Sequence, residues 1–212
     1  RVFIGLGLIL ISLRQFLVLL GPYTHRPELT AVLGAMSSHN LAAVLLGAII
    51  TWISHSSVAT VMLITTFATS GTIPMETALA LVLGANIGTS INPVVEGSRT
   101  DLTARRISMG NLLVRAVGAG LLLPVLPWLG ALMARMEPDA ARQVADFHTL
   151  FNILLALLMV PLLNSYARLM MRLIPTPPQT AQQTPGMPLY LDRLLLDKAP
   201  QLAVGSATRE AM

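Results

Sequence analysis

Apolar residues fill the chain in long blocks, and polar residues gather in a few short clusters between them. Residues 2–20 are nearly all apolar and about long enough to cross a bilayer as one helix. Gly5 and Gly7 permit close helix contact there. Arg14 and Gln15 interrupt the run. Arg14 fits either a snorkelling side chain that meets a neighbouring helix or a residue of a transport path. Residues 21–40 read as a mixed connector with a short helix over 30–36 and Asn40 as the N-cap of the next.

The middle of the chain breaks the simple pattern. Residues 41–53 are strongly apolar but number only 13, too few to cross alone. They end in Ser54-His55-Ser56-Ser57, and a second short apolar arm covers 58–67. One long helix with a polar middle and a re-entrant hairpin with a serine tip both fit. The hairpin is favoured, because polar unwound turns occur where helix ends line a site. Pro74 suits the first turn of the next helix, and residues 75–83 form another short arm. A break is expected at Gly84-Ala85-Asn86-Ile87-Gly88, with Thr89, Ser90 and Asn92 following as oxygen donors.

Residues 107–132 predict a spanning segment broken by Pro124 and Pro127, residues 135–146 a polar hairpin connection, and residues 147–163 a last span. Arg99, Arg105 and Arg106 precede this pair and Arg168 and Arg172 follow it, so both groups share one side. The basic-residue bias makes that side cytoplasmic and turns 135–146 outward. Residues 175–188, rich in Pro, Gln and Thr, read as a linker, and the amphipathic residues 189–212 as the start of a cytoplasmic helical domain.

Composition agrees with a membrane chain. Of 212 residues 54% are hydrophobic and only 11% charged, against about 25% charged in soluble domains. The net charge is +4, but no basic block is dense enough for a nucleic-acid surface. With no Cys, disulfides and thiolate chemistry are excluded within the chain. The apolar run beginning at once after Arg1 and the helical pattern still running at Met212 suggest a fragment of a larger protein.

Residues 29–75 hold no Asp, Glu, Lys or Arg, yet they carry hydroxyl clusters and an imidazole that hydrocarbon alone cannot satisfy. Ser54, Ser56, Ser57 and Thr60, with Asn86, Thr89 and Ser90, could supply the oxygens of a sodium site. The same breaks would turn backbone N–H groups toward an oxyanion. Serines bonding to their own i−4 carbonyls are the plainer alternative. His55 next to serines does not make a hydrolase, since adjacent helical residues do not face one another and no positioned acid is evident. No catalytic site is expected. His148 and Asn152, four apart, fit either helix contacts or the site; His25 and His39 are connector residues and support no zinc site.

Ser54-His-Ser-Ser-Val-Ala-Thr60 followed by Gly84-Ala-Asn-Ile-Gly-Thr-Ser90 resembles the type II sodium-dependent phosphate cotransporter family. Phe147-His-Thr-Leu-Phe-Asn152 and Pro188-Leu-Tyr-Leu-Asp192 extend the resemblance, the latter to the entry of a PhoU-like domain. Ser54 stands where the family has Gln, His55 where it has the first Ser, and Ser90 where it has Thr. The resemblance implies an all-α polytopic membrane protein. Residues 1–174 would be one inverted-repeat unit with broken or re-entrant helices, the second repeat of a larger transporter whose first repeat lies upstream. It implies sodium-coupled symport of inorganic phosphate across the cytoplasmic membrane by alternating access. Ser54, His55, Ser56, Ser57, Thr60, Asn86, Gly88, Thr89 and Ser90 would line the site, with sodium at Ser56, Ser57 and Thr89. A phosphate exporter and a membrane phosphate sensor acting through the PhoU-like domain are the alternatives, and a homo-oligomer is compatible with either.

Overall fold

The structure is a computed structural model that describes residues 2–23, 26–36, 39–97 and 101–176. The chain forms two compact units, Arg1–Pro175 and Thr176–Met212, and only the first is described beyond its opening residue. The expected linker and PhoU-like segment therefore lie outside the described residues. Within the first unit the described elements are helical. They are α1 (Val2–Leu20), α2 (Pro27–Met36), α3 (Asn40–Ser54), α4 (Ser57–Thr69), α5 (Met75–Glu96), α6 (Leu102–Leu122), α7 (Leu126–Met136) and α8 (Ala140–Leu173). Two 3-10 turns, Gly21–Tyr23 and Leu123–Val125, join α1 to its connector and α6 to α7.

α5 is the centre of the unit. Its residues from Thr77 to Asn86 are buried in succession, so its core stretch has no exposed face. α3 lies along it in parallel. The order of contacts shows this: Asn40 donates to Glu76 at 2.5 Å, Gly47 meets Leu81, Gly84 meets Val44 and Ala48, and Gly88 meets Ala48 and Thr51. His55 then reaches Glu96 at 3.4 Å. Two parallel helices joined by α4 require α4 to run back, so α3 and α4 are a helical hairpin. Its tip is held by His55 in the left-handed region (φ 52°) and by Ser56, whose Oγ accepts the Ala59 N–H at 3.2 Å as an N-cap.

The left-handed region costs a non-glycine residue about 1–2 kcal/mol. His55→Gly is therefore expected to raise hairpin stability by up to about 1 kcal/mol, less the weak exposed pair with Glu96. His55→Val should lower it, and thermal unfolding in detergent distinguishes the two directions.

Three expectations are corrected. The break at Gly84–Gly88 is absent: α5 runs unbroken through both glycines. The glycines serve contact rather than unwinding. A Cβ on Gly84 would overlap the Val44 carbonyl oxygen, and one on Gly88 the Ala48 carbonyl oxygen. Small residues four apart on one face let two backbones touch. The polar connection expected over 135–146 shrinks to residues 137–139. Asp139 Oδ1 caps α8 through the N–H groups of Ala141 (2.8 Å) and Arg142 (3.4 Å), so the polar residues 140–146 form its first two turns. The last helix consequently extends well beyond 147–163 at both ends. Asn40 is the first residue of α3 rather than its cap; His39 holds the cap position without a side-chain bond.

Two further boundaries shift slightly: α2 begins at Pro27 rather than residue 30, and Pro74 is the N-cap of α5 rather than part of its first turn. α1 matches residues 2–20, with Arg14 and Gln15 exposed on it. The expected break near Pro124 and Pro127 is the 3-10 turn between α6 and α7. α5, the run Leu102–Met136 and α8 are each long and apolar enough to cross a membrane, and α6 to α8 carry large exposed apolar faces. The first unit is thus an all-α, multi-span membrane bundle.

Candidate functional site

The expected site residues fall into two groups. The first is the hairpin tip. Ser54 Oγ lies 3.3 Å from the Thr51 carbonyl oxygen, 3.4 Å from that of Ser56 and 3.4 Å from Thr60 Oγ1. The Thr60 hydroxyl donates to the Ser56 carbonyl at 3.1 Å. Ser54 and His55 are exposed, Ser56 and Ser57 half-buried, and Thr60 buried. Thr51, one turn before the tip, is fully buried beside Gly88, and its Oγ1 has no hydrogen-bond partner among the described residues. An orphaned buried hydroxyl is costly, so it marks a place where a further oxygen-seeking group fits.

The second group surrounds Asn86. It projects from α5 about 200° from Gly84 and Gly88, away from α3 and toward α6 and α8. Asn86 is 1% exposed. Its Oδ1 accepts from Arg115 Nη1 at 2.9 Å and from Asn152 Nδ2 at 2.9 Å. Its Nδ2 donates to the Val82 carbonyl at 2.9 Å and lies 3.3 Å from His148 Nδ1. Two donors on one side and two acceptors on the other fix the orientation of the amide. Asn152 Nδ2 also lies 2.8 Å from the His148 carbonyl, and Arg115 Nε donates to Asn111 Oδ1 at 3.2 Å. Three spanning helices thus meet through side-chain polar groups at one buried carboxamide.

Sequence position alone joined the tip and Asn86 into one site. In the structure no hydrogen bond links the two groups among the described residues, while Val58, next to the tip serines, and His148 line one cavity. Gly88 faces α3, Thr89 is exposed with its hydroxyl on the Ala85 carbonyl (3.1 Å), and buried Ser90 bonds to the Ile87 carbonyl (2.6 Å). These two hydroxyls satisfy their own helix, the plainer alternative above.

Arg115 escaped the sequence reading although its signal is plain. It is the sole charged residue between Arg106 and Arg135, in a segment otherwise apolar enough to span. Charges in such places are expensive and face a bundle interior or a cavity. His148, which the sequence left between helix contacts and the site, lines a cavity of about 480 Å³ between α4 and the start of α8.

The comparisons with known proteins bear on the whole chain. The Na+/Pi-cotransporter family profile matches residues 23–160. The protein named "Putative inorganic phosphate export protein YjbB" of Escherichia coli (strain K12) is 34% identical over all 212 residues, and that of Salmonella typhimurium equally so. "Uncharacterized protein YqeW" of Bacillus subtilis is 34% identical over 173 residues, 82% of this chain and 56% of its own length. The chain spans 38% of the length of the YjbB proteins. No solved structure matches it. Family and fold are those of a membrane transporter and not of a catalytic enzyme, and the multi-pass bundle is consistent with the inner membrane. The chain belongs to the Na+/Pi-cotransporter family.

Proposed function

We propose that the full-length protein carries inorganic phosphate across the cytoplasmic membrane, in the direction of export. The observation that carries this reading is the Asn86 junction, where α5, α6 and α8 bring an arginine, an imidazole and two carboxamides together inside a spanning bundle. Such groups stay in hydrocarbon when a polar passenger needs them. The direction is supported by relatives named for phosphate export that match the chain from end to end.

The α3–α4 hairpin is read as re-entrant. At 15 and 13 residues its arms reach only about 22 and 20 Å, short of a hydrocarbon core of about 30 Å. An upstream repeat of inverted topology would present a second hairpin, and the two faces together would alternate access. The basic clusters around Arg105 and Arg172 favour a cytoplasmic side for the α5 end that carries Glu96.

Sodium-coupled symport is the second reading. The tip favours it: Ser54, Ser56, Ser57 and Thr60 hydroxyls, freed carbonyls and the orphaned Thr51 Oγ1 form an oxygen-rich turn of the kind a hard cation takes. Thr89 is a weaker contributor, being exposed on α5 and bonded to its own helix.

Radiolabelled phosphate flux by the full-length protein in proteoliposomes tests both. Export predicts efflux from loaded vesicles that an imposed sodium gradient leaves unchanged. Uptake stimulated severalfold by inward sodium would replace export by symport. Phosphate binding without flux in either direction would end the transport reading and favour a membrane sensor.

A further inference from the structure

We infer that Arg115 is the resident cation of a tetrahedral-oxyanion site at the α5–α6–α8 junction, and that this half of the transporter holds its anion with no sodium ion at Asn86. The inference deepens the transport reading and rests on it.

The charge is real and unneutralised. Arginine stays protonated in proteins. Arg115 lies thirteen residues into α6, about 20 Å along the helix from Leu102. Among the described residues no ion pair involves Arg115. Its two hydrogen-bond partners, Asn86 Oδ1 and Asn111 Oδ1, are neutral carboxamides. They aim the guanidinium without cancelling its charge. A charge at this depth is costly, and such residues face a bundle interior or cavity and mark ion or substrate paths.

The geometry leaves a face for the ligand. Arg115 spends Nε–H and one Nη1–H on the two asparagines, so three of its five N–H groups have no partner among the described residues. The side chain is half-buried, not sealed. A guanidinium edge matches two oxygens of a phosphate-like anion in parallel, which an ammonium cannot do. Asn86 meanwhile is closed to a metal cation. Its carbonyl oxygen already accepts two N–H groups, one of them from a cation, and a sodium ion there would face the guanidinium at close range.

The test uses the full-length protein in proteoliposomes with inorganic phosphate as the probe. Wild type, Arg115→Gln and Arg115→Lys are compared at constant ionic strength, with sodium or with choline, after size-exclusion chromatography has matched the amounts of folded protein. Losing a charge-assisted contact should raise the phosphate KM about tenfold to a hundredfold in Arg115→Gln. Arg115→Lys, which keeps the charge but not the paired geometry, should fall between, and the wild-type KM should be the same in choline. A wild-type KM retained by both variants, with only the maximal rate changed, would overturn the inference while leaving transport intact. A KM that depends on sodium in wild type and not in Arg115→Gln would overturn it as well. Should wild type carry no flux, equilibrium phosphate binding decides. Weaker binding by Arg115→Gln supports the site although transport fails, and equal or absent binding rejects it.

Discussion

Gly84→Ala is expected to cost the bundle about 3 kcal/mol or more and to leave little folded protein in detergent. A single methyl does this because of what it would strike. The added Cβ overlaps the Val44 carbonyl oxygen and lies 2.8 Å from both the Val44 carbonyl carbon and the Ala48 nitrogen. All three are backbone atoms of α3, and no rotamer change can clear them. Relief requires α3 to lift off α5, which would also open the Gly47–Leu81 and Gly88–Thr51 contacts. Gly120→Ala is the control. It meets nothing within 4 Å and should be neutral or gain up to about 1 kcal/mol from helix propensity. Folded yield and thermal unfolding read both; a Gly84→Ala protein as stable as wild type would contradict the α3–α5 spacing.

Asn86→Leu should abolish phosphate flux and lower stability by about 1–3 kcal/mol. It keeps the branched shape in a bulkier form but leaves Arg115 and Asn152 without their shared acceptor and His148 without its donor. Asn86→Asp separates the two losses. The carboxylate keeps an acceptor for Arg115 and neutralises it but sets an oxygen against the Val82 carbonyl, so stability should fall, though by less than in Asn86→Leu. The same carboxylate competes with an incoming anion for the guanidinium, so flux should fall at least tenfold. A transport-competent Asn86→Asp protein would show that the positive charge at this junction is not used for the substrate.

Much of this architecture was legible in the chain because lipid imposes simple patterns. The long apolar runs over α1 and the α6–α7 segment announce spanning helices, and the paired prolines announce the 3-10 interruption. The hairpin was visible because two arms too short to span flank Ser54-His55-Ser56. The α5 break was misread because glycine carries two meanings. Gly84-x-x-x-Gly88 can loosen a backbone or admit a neighbour, and only the position of α3 decides. The start of α8 was misread because a polar stretch after Asp139 looks like a loop until the cap and the buried Gln143 and Val144 identify a helix. The motif drew attention to Asn86 and the tip residues, but the partners of Asn86 on α6 and α8 were not legible, since linear spacing does not reveal which helix face a residue takes. Arg115 was visible as a lone charge in an apolar run, but its partner, 29 positions away, was not.

The shortness of α3 and α4 also bears on how the protein is made. Neither helix can anchor itself across a bilayer as a segment handed over by the insertion machinery. Only five residues separate the end of α4 from the start of α5, and α5 is apolar enough to enter on its own. During synthesis the hairpin therefore waits for the segment that follows it. The glycine faces of α3 and α5 can close only once α5 is present, so insertion of the hairpin is expected to depend on α5.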